Sequence, residues 1–249
     1  ETDPVSLQHS ARVAEHIKEI IRGAGGWIPF SKYMELAMFA PGLGYYSAGA
    51  AKIGTAGDFT TAPEMSSLFG ATLAKQVAQV LAVTGGDVLE FGAGSGKLAG
   101  DLIRALQKIG CEPRQYLILE PSPDLRERQN SFLQKEIPEW ISRVQWIDQL
   151  PKKFSGVMIA NEVLDAMPID LVSWQLDGIH ERGVAISGDD FKWADRMLAP
   201  GSLLDHVKNI SVSPGYVSEI HRAGAAFIRS VGDSLKRGAA LLIDYGFLD

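Results

Sequence analysis

The residues with the most chemical content stand at the ends of short apolar runs. Val88-Leu89-Glu90-Phe91 leads into Gly92-Ala93-Gly94-Ser95-Gly96-Lys97-Leu98, an E-x-G-x-G-x-G pattern. Glycines at alternate positions let a backbone take φ values that a Cβ forbids and approach a bound ligand closely. A helix starting there aims its free N–H groups and positive dipole end at whatever lies over the turn. Three more apolar runs end in Glu120-Pro121-Ser122, in Asp148 and in Asn161-Glu162. A carboxylate such as Glu120 is suited to accept hydrogen bonds from both hydroxyls of a ribose, and Asp148 to accept from an adenine amino group. Glu162 and Asp165, beside Asn161, are suited to hold a cationic guanidinium by charge-assisted bonds and to orient its lone pair. Plainer roles also stand open. Glu120 is a favoured charge at a helix N-terminus, Asp148 fits an ordinary loop, and Glu162 and Asp165 fit the capping of a turn.

The glycine turn is neither of two common phosphate cradles. The dinucleotide fingerprint G-x-G-x-x-G needs glycine where this chain has Lys97. A P-loop needs glycine at Phe91 and a hydroxyl residue at Leu98.

The elements that must position these residues alternate. Strands are expected at 87–91, 115–119, 144–147, 156–160 and 239–244, with helices at 97–109, 123–136 and 216–236, the signature of a mostly parallel sheet. In such a sheet ligands bind at the carboxyl ends of the strands, near the switch in strand order. Before this pattern, apolar residues at helical spacing mark helices at 6–23 and, N-capped by Ser31, at 31–39. A glycine-rich loop follows. Thr61-Ala62-Pro63-Glu64 then reads as a capping box opening a long helix that ends near Gly85-Gly86. Between 171 and 193, Asp177-Gly178 and Ser187-Gly188-Asp189 predict the turns of an antiparallel insertion. The expected division is a helical segment over 1–85 that lids the cofactor, and a core over 86–249 carrying inserted hairpins at about 171–200. That insertion, beside the acceptor position, is the expected place for partner recognition.

Composition narrows the function class. A net charge of −6 and a pI near 5.4 argue against a phosphate-backbone binder. One cysteine, Cys111, excludes an internal disulfide framework and points to a reducing compartment. The five histidines are scattered, with His180, His206 and His221 expected at the surface, so no metal site is expected. No apolar run approaches the ~20 residues that span a bilayer. Glu1-Thr2-Asp3-Pro4 lacks the basic and apolar regions of a signal peptide, while a removed transit peptide stays open.

The acidic residue two before the first glycine of G-x-G-x-G resembles motif I of the class I S-adenosyl-L-methionine methyltransferases. The wider pattern resembles the MidA family, whose mitochondrial members are complex I assembly factors acting as protein arginine methyltransferases. The resemblance covers nearly the whole chain. It runs through Pro41-Gly42-Leu43-Gly44-Tyr45-Tyr46, Gly57-Asp58-Phe59-Thr60-Thr61-Ala62-Pro63-Glu64, Leu89 to Gly96, Leu119-Glu120-Pro121-Ser122, Asn161-Glu162 with Leu164-Asp165-Ala166 and Pro168, and Ile243-Asp244-Tyr245-Gly246-Phe247. Gly-Asp-Phe…Thr-x-Pro-Glu is its specific part.

What the resemblance implies is an α/β, Rossmann-like class I methyltransferase whose cofactor is S-adenosyl-L-methionine. Its cofactor contacts would come from Glu90, Gly92, Gly94, Gly96, Glu120, Ser122 and Asp148, with Thr61, Pro63 and Glu64 closing over them. The catalytic set would be Asn161, Glu162 and Asp165, and the substrate a protein arginine, by family analogy on a respiratory NADH dehydrogenase subunit. No nucleic-acid partner or membrane span is expected. The implied location is cytoplasmic for a bacterial protein and the mitochondrial matrix for a eukaryotic one. A seven-stranded methyltransferase sheet would need two strands beyond 239–244, so the sheet is expected to be incomplete at its C-terminal side. Two other readings stand beside this one. The first is an assembly chaperone that binds the cofactor without turnover. The second is an NAD-dependent oxidoreductase, disfavoured by Lys97 and by the lack of a hydride-transfer acid/base pair.

Overall fold

A computed structural model describes residues 4–46 and 61–246. The Gly57-Asp58-Phe59-Thr60 part of the specific motif, and Phe247, lie outside the described residues. In chain order the helices are α1 (Pro4–Gly23), α2 (Phe30–Phe39), α3 (Ala62–Met65), α4 (Ser67–Thr84), α5 (Lys97–Lys108), α6 (Pro123–Glu136), α7 (Ser202–Val207) and α8 (Arg222–Ser234). The strands are β1 (Trp27–Pro29), β2 (Asp87–Phe91), β3 (Tyr116–Leu119), β4 (Val144–Ile147), β5 (Phe154–Asn161), β6 (Asp170–Gln175), β7 (Gly178–Ser187), β8 (Asp190–Met197), β9 (Val217–Ile220) and β10 (Leu235–Ile243).

Contacts divide the chain into two units. One combines Gly49–Ala166 with Ala226–Asp249, and the other combines Glu1–Ala48 with Met167–Ala225. Neither unit follows a boundary at 85–86: α4 packs on α5 in the first unit, and the 171–200 segment belongs with the N-terminal helices in the second.

The first unit is built on a parallel sheet of order β10-β5-β2-β3-β4. Its strands are apolar on both faces because both are covered, as parallel sheets require. Val88 and Ile118 join Leu102, Leu106 and Leu133 in one cluster, while Leu89 and Met158 join Val231 in the other. Strand order reverses between β2 and β5. The α/β, Rossmann-like class is therefore as the sequence implies.

The second unit is antiparallel. β7 pairs along one side with β6 and then β1, and along the other with β8, while β9 flanks β6. Ile17 and Ile21 of α1, Ile28 and Leu36 pack on Val184 as its core. The two expected turns at Asp177-Gly178 and Ser187-Gly188-Asp189 are present. The hairpins are the centre of this sheet and not a peripheral insertion.

Several local expectations are corrected. The stretch expected as one helix over 216–236 divides into β9 and α8, since Val217–Ile220 finds an edge of β6 to pair with. β1 and α7 are additional. α2 starts one residue early, after Pro29, without a side-chain cap. The helix after Thr61 breaks at Ser66, whose extended backbone caps α4 through its hydroxyl. His180, expected at the surface, is buried with Nδ1 3.3 Å from the Gly178 carbonyl. Among the described residues no helix is long and apolar enough to cross a membrane, and no cluster of metal-ligating side chains occurs.

Candidate functional site

All the strand ends that carry the polar residues belong to the first unit, and they lie side by side in the order β10, β5, β2, β3, β4. At β2 the chain turns through Gly92, Gly94 and Gly96 with φ of 60°, 55° and 86°, values that favour residues without a Cβ. Gly96 begins α5 without a side chain of its own, and the first helical N–H, that of Lys97, donates to the Ser95 hydroxyl at 3.2 Å. Lys97 pairs with Asp101 at 2.5 Å, and Asp101 with Arg104, a structural chain along α5.

Glu64 reaches the turn directly: it accepts a short hydrogen bond from the Ser95 hydroxyl. The capping-box reading of Thr61 is corrected, because the Thr61 side chain makes no cap hydrogen bond and only its carbonyl serves α3. Pro63 is buried in that short helix. The Thr-x-Pro-Glu motif therefore braces the glycine turn, whereas capping alone would have left Glu64 on its own helix.

Below the turn lies a buried polar layer. Glu90 is 3% exposed and accepts from the Tyr116 hydroxyl at 2.7 Å. Burial pushes its carboxyl up to about 7. The Glu120 charge adds to that rise, so the two carboxyls belong to one buried polar layer. Glu120, at the end of β3, accepts from the Ser122 backbone N–H at 3.0 Å and from Gln129 Nε2 at 3.2 Å. Burial holds its carboxyl above the usual range. The Ser122 hydroxyl caps α6 by accepting from Leu125 N–H. Asp148 is the outlier: its side chain is 82% exposed and its carboxylate pairs with Arg126 at 2.6 Å. Arg126 also donates to the Glu120 and Ile147 carbonyls, tying the ends of β3 and β4 together.

At the end of β5 the chemistry is acidic. Glu162 sits at φ 51°, strained for a residue with a Cβ, and its N–H donates to the Ile243 carbonyl at 2.8 Å. Asp244, just past β10, accepts from the Leu164 and Asp165 N–H groups at 3.0 and 3.2 Å. Burial raises the carboxyls of both Glu162 and Asp165. The Asp165 charge adds to the rise at Glu162, and the Asp244 charge adds to the rise at Asp165. The Tyr245 hydroxyl bonds to Glu162, and that neighbouring charge raises its own pKa. Asn161 carries a buried Oδ1 with no hydrogen-bond partner among the described residues. The structure therefore brings together Asn161, Glu162 and Asp165, and separately the turn, Glu64, Glu120 and Ser122. A substituent on Gly92 would come within 3.7 Å of Val163, so the two groups adjoin.

Sequence reasoning gave no role to Gln129, Tyr116 or Asp244. Gln129 carried a readable signal, a polar side chain on the same helix face as Leu125, Phe132 and Leu133. Asp244 was visible only as part of the Asp-Tyr-Gly-Phe resemblance.

A helix start at a glycine turn, three left-handed glycines and a buried carboxylate one strand away fit a nucleoside ligand with a polar tail. Residues 72–249 match the family described as "Putative S-adenosyl-L-methionine-dependent methyltransferase". The chain belongs to this family. A Burkholderia thailandensis protein crystallised with S-adenosyl-homocysteine is 47% identical and superposes with a TM-score of 0.91, over 99% of this chain and 65% of that one. A native crystal structure from the same organism gives 46% identity and a TM-score of 0.88, over 100% of this chain and 65% of that one. Among curated relatives, the mitochondrial protein arginine methyltransferase NDUFAF7 of Xenopus laevis is 29% identical over 90% of this chain and 57% of its own length. The Homo sapiens protein of that name is 27% identical over 93% of this chain and 58% of its own. The chain thus spans little more than half the length of these curated relatives.

Proposed function

We propose that this protein is an S-adenosyl-L-methionine-dependent methyltransferase acting on the guanidinium of a protein arginine. The observation that carries the cofactor reading is the glycine turn between β2 and α5 with Glu120 fixed beside it. Gly92, Gly94 and Gly96 would admit the cofactor's amino-acid tail, and Glu120 would accept from its ribose hydroxyls. Ser95, held by Glu64, keeps the turn in one conformation. Asp148, paired and exposed, is the weakest member of the expected set, and adenine recognition by it would require the Arg126 pair to open. When bound, the cofactor supplies an electrophilic methyl on a sulfonium.

The chain's own contribution is to hold the acceptor. Glu162 and Asp165 would pair with a guanidinium, and Asn161 Oδ1, lacking a partner among the described residues, would accept one of its N–H groups. Partial burial and the neighbouring carboxylates disfavour these groups as isolated anions, so a cation is the ligand that relieves them. Carboxyls raised above the ordinary range are also better proton acceptors when the methylated nitrogen must lose its proton. Proximity and exclusion of water would supply most of the rate. The names of the NDUFAF7 relatives support arginine as acceptor. For a eukaryotic bearer in the mitochondrial matrix, the family resemblance points to a respiratory NADH dehydrogenase subunit as substrate; for a bacterial bearer in the cytoplasm, the resemblance names no substrate.

Calorimetric titration with S-adenosylhomocysteine tests this reading. Micromolar binding is expected, lost in Gly94→Val because a branched side chain at φ 55° both strains the turn and enters the ligand's space. No binding by the unaltered protein would refute it. Methyl transfer to arginine-containing protein then separates an enzyme from a cofactor-binding chaperone.

A further inference from the structure

We infer that Gln129 is a positioning residue for the cofactor's ribose, acting through Glu120. Gln129 has no exposed surface, although it lies on a helix that is mostly polar. Its amide is fully used. Trp146 Nε1 donates to Oε1 at 2.8 Å, while Nε2 donates to the Gly94 carbonyl at 3.0 Å and to Glu120 Oε2 at 3.2 Å.

The orientation of that amide is fixed by chemistry. An indole N–H only donates, so the amide oxygen must face Trp146 and the NH₂ must face the turn and the carboxylate. One side chain thereby sets the spacing between the middle of the glycine turn and the group that would take the ribose hydroxyls. With Ser122 N–H on Oε1 and Gln129 on Oε2, each Glu120 oxygen is held from the protein side and keeps lone-pair capacity for a diol. A fully buried, fully bonded amide at this point is dispensable for helix formation, since α6 has its own serine cap and proline start. Its placement is explained by what it holds.

The inference rests on the cofactor reading above, and the test separates the two. S-adenosylhomocysteine and its 2′,3′-dideoxy analogue are titrated against the unaltered protein and Gln129→Met, with thermal melts confirming folding. The unaltered protein should bind the natural ligand and discriminate against the analogue. Gln129→Met releases the Gly94 carbonyl as well and so should weaken both ligands somewhat, but the natural ligand should lose roughly tenfold or more beyond the analogue, because only the diol senses Glu120. Equal losses for both ligands, or none, overturn the inference while leaving the cofactor reading intact. Absence of binding by the unaltered protein overturns both. If Gln129→Met does not fold, Trp146→Phe decides: it keeps an aromatic ring while removing the N–H that fixes the amide, and should reduce the same discrimination. Unchanged discrimination in that variant overturns the inference.

Discussion

Glu90 and Tyr116 meet in a part of the molecule where neither reaches water, and this sets a pH dependence. With its carboxyl at about 7 in the fold and near 4.5 in the unfolded chain, Glu90 keeps a proton that the unfolded chain has already lost between those values. Its contribution to stability is therefore complete below about pH 4.5 and lost as pH climbs through 7, an effect of about 3 kcal/mol. Glu90→Gln keeps an acceptor for the Tyr116 hydroxyl and removes the titration. Urea denaturation at pH 5 and pH 8 should show the variant gaining on the parent as pH rises; parallel pH trends would mean that Glu90 does not titrate in this window. A second residue-scale prediction concerns Asp244. Asp244→Ala removes the acceptor of two loop amides, so hydrogen exchange at Leu164 and Asp165 should accelerate by about tenfold. S-adenosylhomocysteine affinity should persist, because the turn and Glu120 lie on other strands. Unchanged exchange at both amides would show that Asp244 does not hold the loop.

At the scale of elements, the parallel sheet depends on close backbone approach at its start. A Cβ on Gly156, where φ is 136°, would lie 1.9 Å from the Asp87 carbonyl oxygen. That neighbour is backbone and cannot move without parting β5 from β2. Gly156→Ala should cost several kcal/mol, roughly 3 or more, in chemical denaturation; a loss under 1 kcal/mol would show that the two strands separate cheaply. The strands and helices around the site were legible because their period was unambiguous. β2, β4, α5 and α6 lie where hydrophobic spacing puts them to within a residue. β9 and α8 were not, because Val217 and Ile220, three apart with Ser218 and Glu219 between them, also fit the period of the helix that follows. Only pairing with β6 selects strand for them.

The whole molecule shows a different kind of limit. The first 46 residues read as part of a helical segment that lids the cofactor, and the 171–200 hairpins read as an insertion in the core. Folded, they share one sheet: β1 pairs with β7 from Gly183 to Ala185, and Ile17, Ile21 and Ile28 cover Val184. Removal of residues 1–46 should therefore loosen the hairpins themselves. Hydrogen exchange along β6 and β7 should rise by about a hundredfold or more while β2 and β3 keep their protection. Retained protection in β7 would show that this sheet stands without its N-terminal cover. Replacing 171–200 by a linker would remove the centre of that sheet, so partner recognition there is better sought with single substitutions at its exposed residues, such as Trp193.

Residue types and spacing by themselves determined the alternating β/α order, the glycine turn and the carboxylates at the strand ends, because each is a local property of the chain. Glu120, Glu162 and Asp165 could be picked out as chemical groups from their positions after apolar runs. Tertiary structure alone decided which of them are desolvated and what holds them. Asp148 and Glu120 look alike in sequence, yet one is solvated and paired with Arg126 while the other is buried against Gln129. Burial, partner and pKa depend on neighbours distant in the chain, and no local pattern encodes those distances.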